Sequence, residues 1–283
     1  MSTLTAEELQ AVERTVEREV IRAASRYHSH NKPKAILLAG QPGAGKTMLS
    51  SLVIPLLGND AVLVNGDDYR RYHPQYRSFY ERYGSDSVPM TSAFSGAVTE
   101  TIIEKFSDLN YNLIIEGTGR TVAVPKRTAE LLASKGYCIE MSVIATRPVH
   151  SLISTVQRFY QMNEHGTIPR ATAIDAHDAV VQALPANLDE LCKLPVISKI
   201  SIWTRDAELC YDSSDSMMYP SFALRRIWNK RWSSSEIANT KDQIEELRSL
   251  EAKIALGQGH VIDEIQRRFH RETAISRDRD MER

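Results

Sequence analysis

Ala35-Ile36-Leu37-Leu38-Ala39-Gly40-Gln41-Pro42-Gly43-Ala44-Gly45-Lys46-Thr47 decides the fold of this chain. Its first five residues are a short apolar run, the form of a strand buried on both faces. The next eight match G-x-x-x-x-G-K-[ST] in full. Glycines at this spacing let backbone N–H groups turn inward around a β-phosphate, and the helix that follows adds the positive end of its dipole. Lys46 is placed to reach the β- and γ-phosphates, and the Thr47 hydroxyl to hold Mg²⁺. Gly40, Gln41, Pro42, Gly43, Ala44, Gly45, Lys46 and Thr47 therefore form the predicted ATP-binding loop, with Thr47 as its metal contact.

Outward from this loop the same strand-then-helix pattern repeats. Further apolar runs stand at Ala61–Val64, Leu113–Ile115, Met141–Ala145 and Ile197–Trp203. Helical segments fit between or after them at Met48–Leu57, Ala93–Leu109, Val124–Lys135, His150–Met162 and Thr172–Leu184. This alternation predicts an α/β fold of the P-loop kinase-like type, three layers around a mostly parallel central sheet. Ligands in such sheets sit beyond the carboxyl ends of the strands. Upstream, Thr5-Ala6-Glu7-Glu8 has the form of a capping box. Leu9, Val12, Val16, Val20 and Ala24 then predict a helix over about 5–28. Downstream, Asp212–Ser216 is a turn-rich break. Ile237, Ile244, Leu247 and Ile254 predict a charged amphipathic helix, broken at Gly257-Gln258-Gly259. A second helix is expected over Val261–Arg271, then a frayed charged tail from Arg277. The predicted organisation is an N-terminal helix packed on the core (1–30), a kinase domain (31–210) and a C-terminal helical extension (211–283).

Composition narrows the function class. The 283 residues carry a formal net charge of −1, which argues against bulk binding of nucleic acid or an anionic membrane. No run approaches the about 18 apolar residues of a membrane span, and the polar, acidic first ten residues do not read as a secretion signal. Three scattered cysteines, Cys138, Cys192 and Cys210, fit a reducing compartment rather than a disulfide frame or a zinc site. A cytoplasmic protein is expected.

Among P-loop proteins, a GTPase is expected to carry D-x-x-G and N-K-x-D. The chain has no N-K-x-D, and Asp60–Asp68 holds no D-x-x-G. A motor ATPase wants an apolar strand ending in Asp, whereas the third strand here ends in Glu116. These features favour a small kinase. The second strand delivers Asn65-Gly66-Asp67-Asp68-Tyr69-Arg70, an acid placed to orient an acceptor hydroxyl and take its proton. Asp67 and Asp68 both qualify; the plain alternative for either is a turn-forming or capping aspartate. Arg158, on the helix after the fourth strand, and Arg170, at the end of the polar loop Asn163–Arg170, are placed to brace a transferring phosphoryl group. The plain alternative is a pair of surface arginines. Thr172-Ala173-Ile174-Asp175 predicts a capped helix start.

Gly40–Thr47, Asp67 with Tyr69 and His73-Pro74, Asn112–Thr121, Val124-Pro125, Arg170-Ala171-Thr172 and Ala176-His177-Asp178 together resemble the bacterial zeta toxins, over about residues 30 to 210. The resemblance implies a UDP-N-acetylglucosamine kinase that moves the γ-phosphate of ATP to the 3′-hydroxyl of the amino sugar. The product blocks cell-wall precursor synthesis, so the enzyme is a toxin restrained by an epsilon antitoxin. It implies that Lys46, Asp67, Arg158 and Arg170 are catalytic, with Asp67 the acid that activates the hydroxyl. Glu100, Glu116, Thr118, Arg120 and Thr128 are then the expected UDP-sugar side of the site. Two departures stand out: Asn65 where family members often carry an acid, and the extra acid Asp68. The extension maps onto nothing in the family. It is left as a restraint in cis, an oligomerisation helix, a docking element or a helix packed on the core, beside a helical antitoxin in trans. Two other readings are a kinase of the same layout for another UDP-sugar or small metabolite, and a nucleotide-binding regulatory module.

Overall fold

In the computed structural model, which describes residues 6–24 and 27–281, the apolar runs become β1 (Lys34–Ala39), β2 (Val62–Asn65), β3 (Leu113–Glu116), β4 (Cys138–Ile144) and β5 (Ile197–Trp203). They lie parallel in the order β2-β3-β1-β4-β5, and β6 (Leu209–Asp212) closes one edge antiparallel to β5. Leu38 of β1 and Asn65 of β2 both pair with Glu116 of β3. That register brings three strand ends level. The P-loop, Asp67 and the segment after Glu116 therefore leave the sheet side by side.

Side chains alternate across β1. Ala35, Leu37 and Ala39 face a core shared with α1 (Ala6–Ala24), α5 (Ser92–Asp108), α6 (Ala123–Ser134), α8 (Ile174–Cys192) and α9 (Pro220–Trp228). Ile36 and Leu38 face Leu49 and Val53 of α2 (Lys46–Val53). Period-two burial with apolar residues on both sides is what a covered parallel sheet requires. Between β2 and α5 the chain adds two short helices, α3 (Gly66–Tyr69) and α4 (Tyr76–Tyr83).

A second core lies at the C-terminal end. Val149, Leu152, Ile153, Val156 and Tyr160 of α7 (Pro148–Glu164) pack against α10 (Ser234–Ile254) and α11 (Gly259–Met281) through Ile244, Leu247, Ile265 and Phe269. At about 100° per residue these α7 positions share one side of the helix, and Arg158 lies on the opposite side. The extension thus covers the back of α7 and leaves its Arg158 face clear. Arg147 ties the two parts together. It donates to the carbonyls of Trp228 (3.0 Å) and Lys230 (2.7 Å) and sits 4.1 Å over the Trp232 ring.

Several local expectations need correction. Thr5 of the predicted N-terminal capping box lies outside the described residues, as do residues 25 and 26. Helix α1 is described as far as Ala24, and Tyr27 and His28 are not helical, so the helix does not reach 28. The box expected at Thr172–Asp175 does not form: α8 begins at Ile174 with Ala173 as its N-cap and no side-chain cap. A capping box does open α10, between Ser233 and Glu236. Helix α8 runs through Pro185 to Cys192, eight residues past the predicted Leu184 end, because its apolar side (Leu184, Leu188, Leu191) is buried in the main core. Helix α11 continues to Met281, so Arg277–Met281 is helical rather than frayed. The break at Gly257 stands, with Ala255 and Gly257 at φ 53° and 79°. Among the described residues no helix is long and apolar enough to cross a membrane.

Phe269 is 1% exposed and edge-on to Trp232, ring centroids 5.3 Å apart. Truncating such a side chain costs about 3–5 kcal/mol. Phe269→Ala is expected to lower the urea midpoint of the whole chain in a single transition. A separate early transition confined to the C-terminal helices would show that they are not part of the kinase body.

Candidate active site

The loop from Gly40 to Thr47 is pressed against the start of α7. Gly43 has φ +74°, and a Cβ added there would lie 2.0 Å from the Ser151 carbonyl oxygen. Only glycine permits that approach. Buried polar contacts fix the loop from beneath. Gln41 Nε2 donates to the Thr146 carbonyl (2.6 Å) and to Ser151 Oγ (3.2 Å), and Thr146 Oγ1 donates to the Ala44 carbonyl (2.6 Å). From the β5–β6 turn, Arg205 Nε donates to the Ala44 carbonyl (3.0 Å), and its guanidinium also reaches the Gly43 carbonyl and Ser154 Oγ. Loop carbonyls are thereby engaged by protein donors on the outer side.

Lys46 opens α2 and folds its ammonium back to the Gly40 carbonyl (3.0 Å). Burial lowers its pKa, the Glu116 carboxylate opposes that shift, and the Arg158 charge adds to it. Glu116 is pushed up by its own burial, against the pull of Lys46. Arg158 is likewise lowered, first by burial and then by the Arg170 charge. Its Nε is buried with no hydrogen-bond partner among the described residues. Arg170 arrives from the α7–α8 connection and donates to the main-chain carbonyl of Asp67. Lys46, Arg158, Arg170, Asp67 and Glu116 thus act on one another as a single electrostatic cluster. An orphaned buried guanidinium nitrogen beside a buried ammonium fits an anionic group such as a triphosphate.

Asp67 sits in the single turn α3. Asn65 caps that turn, its Oδ1 accepting the Asp67 N–H at 3.1 Å. An amide does at this position what the expected acid would do as a cap. Asp67 Oδ1 accepts from Arg70 Nε at 2.8 Å, and Arg70 is itself held by the Val88 carbonyl and Thr91 Oγ1, both at 2.9 Å. Burial pushes the Asp67 carboxyl up. The Arg70 hydrogen bond and the charges of Arg70, Arg170 and Arg158 outweigh it, so the net shift is downward. Asp68 moves the other way: burial raises it, Asp67 adds to the rise, and Arg170 opposes it. The neighbouring acids are therefore unequal, and Asp67 is the one whose ionised form its partners favour and orient.

Residues 117–120 run beside the P-loop. The Gly117 N–H donates to the Leu38 carbonyl (2.9 Å) and the Gly40 N–H to the Thr118 carbonyl (3.4 Å). Thr118 Oγ1 accepts the Arg120 N–H (3.3 Å), and Asn187 of α8 holds the Gly119 carbonyl (2.9 Å). Glu100 on α5 makes an ion pair with Arg127 on α6, next to Thr128. Glu100 and Thr128 thus stand on α5 and α6, the two helices that this pair links. Arg70, Arg127 and Arg205 escaped the sequence reading. Arg205 was findable, since it stands two residues past the end of β5. Arg70 was findable once a helical turn over 66–69 put it three residues from Asp67.

The zeta toxin family profile matches residues 18–216. Toxin PezT of Streptococcus pneumoniae serotype 4 (strain ATCC BAA-334 / TIGR4) is 39% identical over 211 residues, which is 74% of this chain and 83% of that protein. Toxin zeta of Streptococcus pyogenes is 37% identical over 216 residues, 76% of this chain and 75% of that protein. A solved structure from the PezAT chromosomal toxin–antitoxin system of Streptococcus pneumoniae superposes with a TM-score of 0.75 at 34% identity, covering 88% of this chain and 99% of its own. That coverage extends into the C-terminal helices, beyond the span of the family profile.

Two outcomes follow from the geometry. Gly43→Ala places a methyl into the Ser151 carbonyl at a positive φ, and nucleotide affinity measured by calorimetry is expected to fall beyond detection while the sheet still folds; an affinity near wild type would remove the close approach from the account. Arg70→Met removes the donor that holds Asp67 below its ordinary range. The Asp67 titration midpoint, followed by carboxyl-carbon NMR, is expected to move to higher pH. An unmoved midpoint would mean that Arg70 does not control this carboxylate.

Proposed function

The chain belongs to the zeta toxin family, kinase-like toxins of toxin–antitoxin systems, and from that premise we propose that it transfers the γ-phosphoryl group of ATP to the 3′-hydroxyl of the amino sugar in UDP-N-acetylglucosamine. The observation that carries the proposal is the meeting of Lys46, Arg158 and Arg170 with the ionised Asp67 at the level strand ends. The P-loop N–H groups and Lys46 hold the triphosphate. Asp67 accepts the hydrogen bond of the acceptor hydroxyl, aims its oxygen at the γ-phosphorus and takes its proton. The new O–P bond forms as the bond from the γ-phosphorus to the β–γ bridging oxygen breaks, and ADP departs. Arg158 and Arg170 offset charge on the transferring group, a role in which a fixed cation is worth most in a water-poor site.

The chemistry of the donor set also fits magnesium. Among the described residues no group of three or more His, Cys, Asp or Glu could hold a metal ion by itself. Thr47 would hold Mg²⁺ together with phosphate oxygens, and the ion would neutralise charge on the β- and γ-phosphates. Glu100, Glu116, Thr118, Arg120 and Thr128 form the UDP-sugar side. Phosphorylation there makes a dead-end precursor and so a toxin of cell-wall synthesis. The extension lies behind α7, away from Arg158, which favours restraint by a separate epsilon-type antitoxin over restraint in cis.

Incubation with ATP, Mg²⁺ and a panel of UDP-sugars, followed by mass detection, is expected to add one phosphoryl group to UDP-N-acetylglucosamine. Asp67→Asn is expected to lose turnover by about 10²-fold or more and to keep ATP binding. Product on a different UDP-sugar alone would overturn the acceptor; wild-type turnover by Asp67→Asn would overturn the base.

A further inference from the structure

A continuous run of polar contacts joins the last helix to the P-loop. Arg268 of α11 makes a two-pronged pair with Asp178 of α8, its NH1 and NH2 donating to Oδ1 (2.6 Å) and Oδ2 (2.7 Å). Glu264 holds the third donor of the same guanidinium at 2.7 Å. Asp178 Oδ1 also faces His177 Nδ1 at 3.1 Å. His177 is fully buried, and its Nε2 lies 2.8 Å from Ser151 Oγ on α7. Ser151 Oγ accepts from Gln41 Nε2 (3.2 Å), the second residue of the loop.

The direction of the chain is set by chemistry. An ionised carboxylate only accepts, so the imidazole proton sits on Nδ1 and Nε2 accepts the Ser151 O–H, which it shares with the Pro148 carbonyl at 2.8 Å. Ser151 Oγ then keeps a lone pair for Gln41. The contacts form one connected run from Arg268 to Gln41, although Gln41 Oε1 itself is buried without a partner among the described residues.

We propose that Arg268 and Asp178 are positioning residues for nucleotide binding, holding the P-loop in register with α7 through His177, Ser151 and Gln41. Ser151 is the joint. Its hydroxyl belongs to the polar chain, and its carbonyl is the atom against which Gly43 is pressed. Ser151 and Arg158 are seven residues apart on α7 and so point within about 20° of each other. Fixing α7 at Ser151 therefore fixes the loop and the Arg158 guanidinium together. Stability alone does not account for the arrangement. The apolar contacts of Phe269, Ile265 and Leu247 already hold α11 to α7, and a half-buried ion pair is weak grounds for stability. What a two-pronged pair adds is orientation.

The proposal rests on the P-loop reading and not on the identity of the acceptor, so ATP affinity of the full chain is the measurement. Arg268→Met keeps the aliphatic stem and removes the fork; Ser151→Ala cuts the chain at its joint. Each is expected to weaken ATP binding about tenfold, and the double variant no further, because both break one chain. Arg268→Lys should restore part of the affinity. Asp178→Asn, which keeps the shape of the side chain, replaces Arg268→Met in the cycle if that variant does not fold, as judged by thermal unfolding. Additive losses approaching about a hundredfold, expected of independent structural defects, would overturn the proposal. So would wild-type affinity in Arg268→Met. An unmutated chain that fails to bind ATP would overturn the nucleotide reading itself, while lack of turnover on UDP-N-acetylglucosamine would leave this proposal standing.

Discussion

The structure depends on gathering positive charge beyond the carboxyl ends of the strands. Lys46 and Arg158 are each lowered first by their own burial, and a neighbouring cation adds to the shift, Arg158 beside Lys46 and Arg170 beside Arg158. Unit charges about 4 Å apart at an effective dielectric of about 20 repel by about 4 kcal/mol. A surface ion pair returns about 0–1 kcal/mol, so peripheral salt bridges cannot hold such a cluster together. The apolar scaffold must. Each fully buried Val, Leu, Ile or Phe contributes about 1.5–3 kcal/mol before entropy, and both sheet faces and the back of α7 are lined with them. Asp67 and Glu116 supply the local offset, which explains why acids stand just past β2 and at the end of β3 rather than apolar residues.

Helix α7 carries most of the mechanical burden because it is used on two sides. Its front presents Ser151 to the P-loop and Arg158 to the cluster; its back is buried by α10 and α11. Arg147, at the N-cap of α7, anchors the chain that leads into α10. The next turn carries His150, whose pKa is lowered to about 4 by burial and by the charges of Arg147 and Arg205. A neutral His150 accepts from or donates to Thr240 at 3.0 Å without adding a charge between two arginines. The extension is thus better described as the rear wall of the kinase than as an appendage.

How much of this was legible in the sequence follows from the range of the interactions. The P-loop was legible because its chemistry is complete within eight residues. The five parallel strands were legible because burial on both faces leaves unbroken apolar runs. Strand β6 and helix α9 were not, since a four-residue edge strand and a helix opening on Pro220 have little local signature and are held by tertiary contacts of Tyr211, Leu224 and Trp228. The same cause misplaced the end of α8. Pro185 is a reasonable stop signal taken alone, but the core on its far side keeps the helix going. Glu100 and Thr128 were named through resemblance only; nothing in their neighbours marks them. The Arg268–Asp178 link spans 90 residues of sequence, and a bidentate pair at that separation leaves no pattern along the chain.

Asp67 and Asp68 illustrate what local sequence withholds. Both are acids on the same turn, and burial raises the carboxyl of each. Their net shifts are opposite because only Asp67 receives the Arg70 Nε hydrogen bond, the same guanidinium being locked through its NH1 by Val88 and Thr91. The arrangement gives up basicity, since a depressed carboxylate is a weaker proton acceptor. Phosphoryl transfer tolerates this. In a loose transition state the attacking hydroxyl has little bond to phosphorus, so its proton need not leave early. Under the proposed transfer what matters more is where the acceptor hydroxyl points, and a carboxylate pinned by Arg70, with its main-chain carbonyl held by Arg170, would act as an orienting device first and a base second.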